Sequence, residues 1–202
     1  MSKLGEETGE EMTFRSIDFL VFVVVVLSCF YIFPPRKRPL FLLLANLFFI
    51  GYASLQHLVL FLCLRLTDFF VVNKMAQKNQ SRNRNFFLFL SLAINLGALF
   101  LYKYLNFFSQ MIGIRGQIWD LALPLGLSFY TFHSLSYTID VFNQTLKPES
   151  SFLNYCNYVS FFPQFVAGPI ARAKLLLPQF QSPQSFSYSN LMSGFYLIAK
   201  GF

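Results

Sequence analysis

The run LALPLGLSFYTFHSLSYTIDVF, residues 121–142, followed after a short polar turn by YVSFFPQFVAGPIARAKLLLPQF, residues 158–180, decides how the rest of the chain is read. It is apolar enough to lie in a bilayer, yet it carries Tyr, His, Asp, Gln, Gly and Pro where a simple anchor would carry Leu. On a helix, Leu125, Phe132, Leu135, Ile139 and Phe142 fall within an arc of about 100°, a stripe expected to face lipid. Tyr130, His133, Tyr137 and Asp140 cluster opposite. Ser128, Thr131, Ser134 and Thr138 fill the sector between, where small hydroxyl residues favour close helix contact. A carboxylate at the centre of a membrane helix costs about 2.5–3.5 kcal/mol on insertion scales. Asp140 is therefore expected near a helix end, or facing protein or water.

The second half of the stretch argues against one continuous helix. Pro163 interrupts an apolar run, and Gly168-Pro169 follows, so the segment Phe152 to Leu177 is expected to break. Broken backbone at membrane depth is tolerated only where it is buried in protein or lines a wet cavity, and such discontinuous helices often border binding sites. A Pro kink with a packing role alone is the alternative.

Outward from this stretch, composition sets the class. The chain of 202 residues is 55% hydrophobic, 19% aromatic and 12% charged, too apolar for a soluble domain of that length. Its net charge of +7 comes from basic residues confined to gaps between apolar runs: Arg36, Lys37 and Arg38 in one, Lys74, Lys78, Arg82 and Arg84 in another. That distribution marks membrane topology, whereas a nucleic-acid binder would spread its cations over one wet face. Cys29, Cys63 and Cys156 lie in apolar segments without metal-ligand or disulfide spacing, so no structural metal is expected.

The apolar runs predict an all-α polytopic protein of about six membrane segments plus the start of another. Residues 1–11 form a polar, acidic extension, and translation could begin at Met12 rather than Met1. Ile17 to Phe33 is a first span ended by Pro34-Pro35. Leu40 to Val72 reads as a tight hairpin of two short helices turning near Gly51 and Ser54, with His57 at the turn. Arg65 and Asp68 lie three apart on its second helix and can neutralise each other. Asn73 to Asn85 reads as a cytoplasmic loop, and Phe86 to Phe108 as a further span with Lys103 reaching the far headgroups. Residues 109–120 follow as an extracytoplasmic loop, then the decisive pair of segments. Asn190 is the expected N-cap of a last helix, which stops within an apolar run as though cut off.

The strings LPLGLSFYTF (123–132), SYTIDV (136–141) and FFPQFVAGPI (161–170), with YKYLNF (102–107), resemble the membrane-bound O-acyltransferase family, above all its bacterial alginate O-acetyltransferase-like branch. The likeness runs from about Met12 to the end and implies the amino-terminal part of such a bundle, residues 12–202. It implies transfer of an acyl group, acetyl foremost, from a thioester donor to hydroxyls of an exported cell-envelope polysaccharide such as alginate. The setting would be the inner (cytoplasmic) membrane, with membrane lipid and an extracytoplasmic acyl-transfer protein as partners, and with no bound cofactor and no nucleic acid. The family's membrane histidine lies on later helices; neither His57 nor His133 aligns with it, so no catalytic residue is carried over and the segment alone is expected to be inactive. Tyr130, His133, Tyr137, Asp140, Pro163, Gln164, Gly168 and Pro169 are the candidate walls of a substrate tunnel. A non-catalytic scaffold is the alternative reading. A transporter is a weaker one, because no internal repeat is evident.

Overall fold

The computed structural model describes residues 17–77, 81–111, 123–165, 171–182 and 185–201. Among them every regular element is helical. The order is α1 (Ile17–Ile32), a 3₁₀ turn (Pro35–Lys37), α2 (Arg38–Ala53), α3 (Leu55–Ala76), α4 (Ser81–Leu99), a π-helical turn (Phe100–Tyr104), α5 (Leu105–Met111), α6 (Leu127–Phe142), α7 (Phe152–Ser160), α8 (Phe162–Phe165), α9 (Ala173–Gln181) and α10 (Tyr188–Gly201). Helix α3 packs against α2, α4 and α6, while α7 packs against α2 and α9, so α3, α6 and α7 meet in the middle.

The hairpin forms as its sequence suggests. Ser54, extended at φ −167° and ψ 130°, is the single residue between α2 and α3. The basic stretch after α3 departs from expectation. Helix α3 runs on to Ala76 and α4 begins at Ser81, so most of the expected loop Asn73–Asn85 is helical. Lys, Arg, Gln and Met are strong helix formers and extend both helices beyond their apolar runs. Arg84, in the first turn of α4, donates from Nη2 to the carbonyl of Phe142 at 2.5 Å and lies 5.4 Å from that ring, capping the end of α6.

Helix α6 starts at Leu127 because Gly126 holds a left-handed conformation, φ 70°. A Cβ there would lie 2.5 Å from Phe165 Cε1 and 2.7 Å from the Phe165 carbonyl oxygen, so close approach demands glycine as well. The last helix begins at Tyr188, two residues before the expected cap; Ser187 Oγ accepts the N–H of Asn190 and does the capping.

By length and composition, Leu55–Ala76 and the continuous stretch Arg82–Met111 are each able to cross a bilayer, and α1 is apolar but shorter. Large apolar side chains cover the outside, among them Ile32, Leu55, Phe89 and Leu175. Inside, Phe49, Phe61, Tyr130, Phe162 and Phe165 form a continuous aromatic core. Phe165 lies 6.1 Å from Phe61 and 6.5 Å from Phe49, edge to face, and stacks on Tyr130 at 5.7 Å.

Candidate functional site

The segment after α7 breaks where its proline requires. A proline at 163 has no N–H for the carbonyl of Val159 and would collide with it, so α7 stops at Ser160. Phe161, at φ −55° and ψ 104°, turns the chain, and Pro163 then sits harmlessly in the first turn of α8. The break leaves polar backbone inside the protein, and side chains from other helices satisfy it. Asn46 of α2 accepts the Phe162 N–H on Oδ1 at 3.0 Å and donates from Nδ2 to Asn157 Oδ1 at 3.1 Å. Asn157 in turn donates to the Pro39 carbonyl at 2.8 Å. Both asparagines are fully buried. On the far side, the Tyr158 hydroxyl donates to the Ala171 carbonyl at 3.1 Å, tying α7 to the chain beyond the break.

A second polar system lies in the centre of the bundle. Arg65 and Asp68 of α3 are both wholly buried, with Nη1 3.8 Å from Oδ2. Asp68 accepts from Ser91 on α4, from Ser134 on α6, and from the Tyr155 hydroxyl on α7 at 2.9 Å. Arg65 Nη2 donates to Asn95 Oδ1 at 2.7 Å, and its guanidinium carbon lies 5.3 Å from the Tyr130 ring and 6.0 Å from the Phe61 ring. Ser91 and Thr138 hydroxyls approach to 3.3 Å. One ion pair thus joins four helices in a connected network with no water-exposed member, an arrangement suited to fixing helix register.

His133 lies off this network and is arranged differently. Its Nδ1 is 2.9 Å from the Phe129 carbonyl, which only accepts, so Nδ1 carries the hydrogen and Nε2 of the neutral ring holds a lone pair. That Nε2 is buried without a hydrogen-bond partner, as are Gln164 Oε1, the Tyr130 hydroxyl and Thr131 Oγ1. The Gln164 side chain lies within interaction range of the imidazole, and the Tyr158 ring stands edge to face at 5.7 Å. A histidine lone pair beside a broken helix can accept a hydrogen bond from a hydroxyl or amide brought to it.

The expected tunnel residues therefore divide. His133 and Gln164 adjoin each other next to the break, while the Tyr130 ring lies against the Arg65 guanidinium and stacks on Phe165. Tyr137 is buried, but its hydroxyl accepts the Glu149 N–H at 2.8 Å and is committed to the α6–α7 turn. Asp140 leaves the polar cluster: near the end of α6, its carbonyl and carboxylate accept from the Thr145 hydroxyl at 2.9 and 3.4 Å. Pro163 is exposed, and Gly168 and Pro169 lie outside the described residues. The expected lipid stripe is also corrected, because Leu135 is buried in the bundle while Phe132 and Ile139 are exposed. Helix α6 is covered on more of its circumference than a two-sided helix, so only part of its apolar arc reaches the outside.

Known proteins resemble the chain over most of its length. The peptidoglycan O-acetyltransferase of Helicobacter pylori is 30% identical across 82% of this chain and 38% of its own length. The probable alginate O-acetylases AlgI of Pseudomonas aeruginosa and Azotobacter vinelandii are 31% and 30% identical, each across 84% of this chain. This likeness bears out the resemblance to the membrane-bound O-acyltransferase family. It spans between 34% and 38% of the length of the relatives it matches. No protein-family profile and no solved structure matches it. The similarity to these O-acetyltransferases and the two helices α3 and α4–α5, each long and apolar enough to cross a bilayer, mark it as a membrane protein.

Neither the Arg65–Asp68 network nor the Asn46–Asn157 clasp is prominent in the sequence. The signal was present as polar residues at helical spacing within apolar runs: Arg65 with Asp68, and Ser91 with Asn95. Asn46 and Asn157 stand alone in their helices, and only the fold brings them together.

Proposed function

We propose that these residues form one part of a multi-pass inner-membrane O-acyltransferase that moves an acetyl group from a thioester donor to hydroxyls of an exported cell-envelope polysaccharide. The observation that carries this is the likeness, across more than four-fifths of the chain, to proteins named for O-acetylating alginate and peptidoglycan. In this reading the α7–α8 break and α6 wall a tunnel. Tyr130, His133 and Gln164 line it. Pro163 sets the break, while Tyr137 and Asp140 brace the turn below. About six segments cross the membrane, the shorter helices crossing with the help of their neighbours.

His133 acts here as a hydrogen-bond acceptor for a passing substrate group, and the base that activates the acceptor hydroxyl comes from elsewhere in the full protein. An extracytoplasmic partner passes the acetyl group to the polymer, which is alginate or, as the Helicobacter pylori relative suggests, a peptidoglycan. The test is base-released acetate from purified envelope polysaccharide of the source cells, with and without the gene. Loss of acetate from one polymer, restored by the intact gene, supports the reading and names the substrate. Unchanged acetate on every envelope polymer refutes it.

A further inference from the structure

Two buried hydrogen-bond acceptors meet where α8 lies along α6. His133 Nε2 and Gln164 Oε1 are each enclosed without a hydrogen-bond partner, and the two side chains adjoin. The histidine is 2% exposed. Its tautomer is fixed from the other side of the ring, where Nδ1 gives its hydrogen to the Phe129 carbonyl at 2.9 Å and leaves Nε2 a bare lone pair. Phe165, the neighbour of Gln164, stacks on Tyr130 at 5.7 Å and lies where a Cβ on Gly126 would point. That packing holds α8 against the first half of α6 and sets the Gln164 amide beside the imidazole.

The described neighbours have no hydrogen to spare for these two atoms. Tyr158 stands edge to face with the imidazole at 5.7 Å, but its one hydroxyl hydrogen serves the Ala171 carbonyl at 3.1 Å. The Ser134 hydroxyl donates to Asp68. Thr131 Oγ1 is unpartnered, yet at 100° per residue it lies about 200° round α6 from His133. The Tyr130 hydroxyl is unpartnered as well, but its ring is pinned between Phe165 and the Arg65 guanidinium. Two acceptors side by side repel each other, and inside a protein that repulsion is strong. The pair becomes favourable when a donor stands between them.

We propose that His133 Nε2 and Gln164 Oε1 hold one water molecule, which donates a hydrogen to each. Water is the smallest molecule with two hydrogens to give, and two to four polar partners are usual for an internal water. The position suits it, because ordered water is among the groups that complete the hydrogen bonding where proline interrupts a membrane helix. The pair also defines what can take the water's place: a ligand group with an N–H or O–H at this point. An ether or ester oxygen, or a thioester carbonyl, brings only acceptors and would leave both lone pairs unmatched. The site does not depend on the acyl-transfer reading, and its test reads the imidazole and not activity.

The test is nuclear magnetic resonance of the intact, detergent-purified protein carrying isotope-labelled histidine, the His133 ring signals being those lost in His133→Gln. The ring hydrogens on Cδ2 and Cε1 flank Nε2, so cross-relaxation from them reports what donates to it. Cross-peaks at the water resonance, with the sign of a water held in place, are expected. Gln164→Leu should abolish them while Nδ1 keeps its hydrogen, which shows α6 intact around Phe129. Cross-peaks to the Gln164 side-chain amide hydrogens in place of water would overturn the proposal, by showing that the amide turns and donates to Nε2 directly. Absence of any water contact in the unaltered protein would overturn it too, as would a water contact that Gln164→Leu leaves unchanged.

Discussion

Removing Asp68 alone should be among the most damaging single changes in the membrane core. Asp68→Ala leaves the Arg65 guanidinium wholly buried, with one hydrogen bond, to Asn95, and two aromatic faces for company. At 3.8 Å and an effective dielectric constant near 20, the lost attraction is about 4 kcal/mol, and breaking buried pairs costs about 3–5 kcal/mol in general. The three hydroxyls that Asp68 accepts from add less. Interhelical hydrogen bonds in membranes average about 0.6 kcal/mol, and Ser134 and Tyr155, 2.8 Å apart, can bond each other instead. Arg65→Met, which strands the carboxylate, should cost about as much. The double variant Arg65→Met/Asp68→Ala removes both charges and should cost no more than about 2 kcal/mol, so the coupling energy is at least about 3 kcal/mol. Unfolding by sodium dodecyl sulfate in mixed micelles, followed by circular dichroism, measures all four proteins. Additive single effects, or singles below about 1 kcal/mol, would refute the view that one neutralised ion pair holds these helices together.

Asn46→Leu strands the Phe162 N–H and should destabilise by about 1–3 kcal/mol, read in the same micelle titration. Gly126→Ala forces a Cβ to 2.5 Å from the Phe165 ring at a left-handed position, so a loss of about 2–4 kcal/mol is expected from backbone strain and overpacking, read as a lower melting temperature in detergent. His133→Gln in the full-length enzyme should lower polysaccharide acetylation about tenfold at normal protein levels, the worth of roughly one hydrogen bond; unchanged acetylation would retire His133 from the tunnel wall. Purified residues 1–202 alone should transfer no acetyl group, and measurable transfer would place the catalytic base within them.

The hairpin at Ser54 and the interruption near Pro163 were legible because each follows from local rules: chain length against bilayer thickness in one, a missing N–H in the other. The orientation of α6 was only half legible. A helical wheel assumes one covered face, but α6 is contacted by α3, α4, α7, α8 and α9, so Leu135 is buried although it shares an arc with exposed Ile139. Asp140 looked like part of a polar face for the same reason. Its place near the last turn lets it close the following turn through Thr145, a contact that no periodicity reveals. The Asn46–Asn157 bond spans 111 positions, and a single sequence carries no trace of such a pairing.

Two kinds of buried polar group coexist here, and the difference separates scaffold from site. Asp68, Asn46 and Asn157 have partners on other helices, and apart from two guanidinium nitrogens the groups of these networks are satisfied. Bonds of that kind hold helices in register and leave nothing free for a substrate. His133 Nε2 and Gln164 Oε1 are buried atoms without a hydrogen-bond partner among the described residues, and they sit at the break that Asn46 of α2, Tyr158 of α7 and Gly126 before α6 border. A fold that commits two asparagines and a left-handed glycine to a broken helix beside an imidazole whose Nε2 has no partner stabilises the break, not a continuous span. Restoring continuity is therefore the sharpest probe of purpose. Pro163→Ala removes the clash with the Val159 carbonyl and allows α7 to extend, with the loss of the Asn46 and Tyr158 contacts at the break set against the helix gained, so acetylation by the full-length protein should fall while the protein remains folded. Were acetylation to survive in a variant whose α7 demonstrably extends, the break would be packing and nothing more.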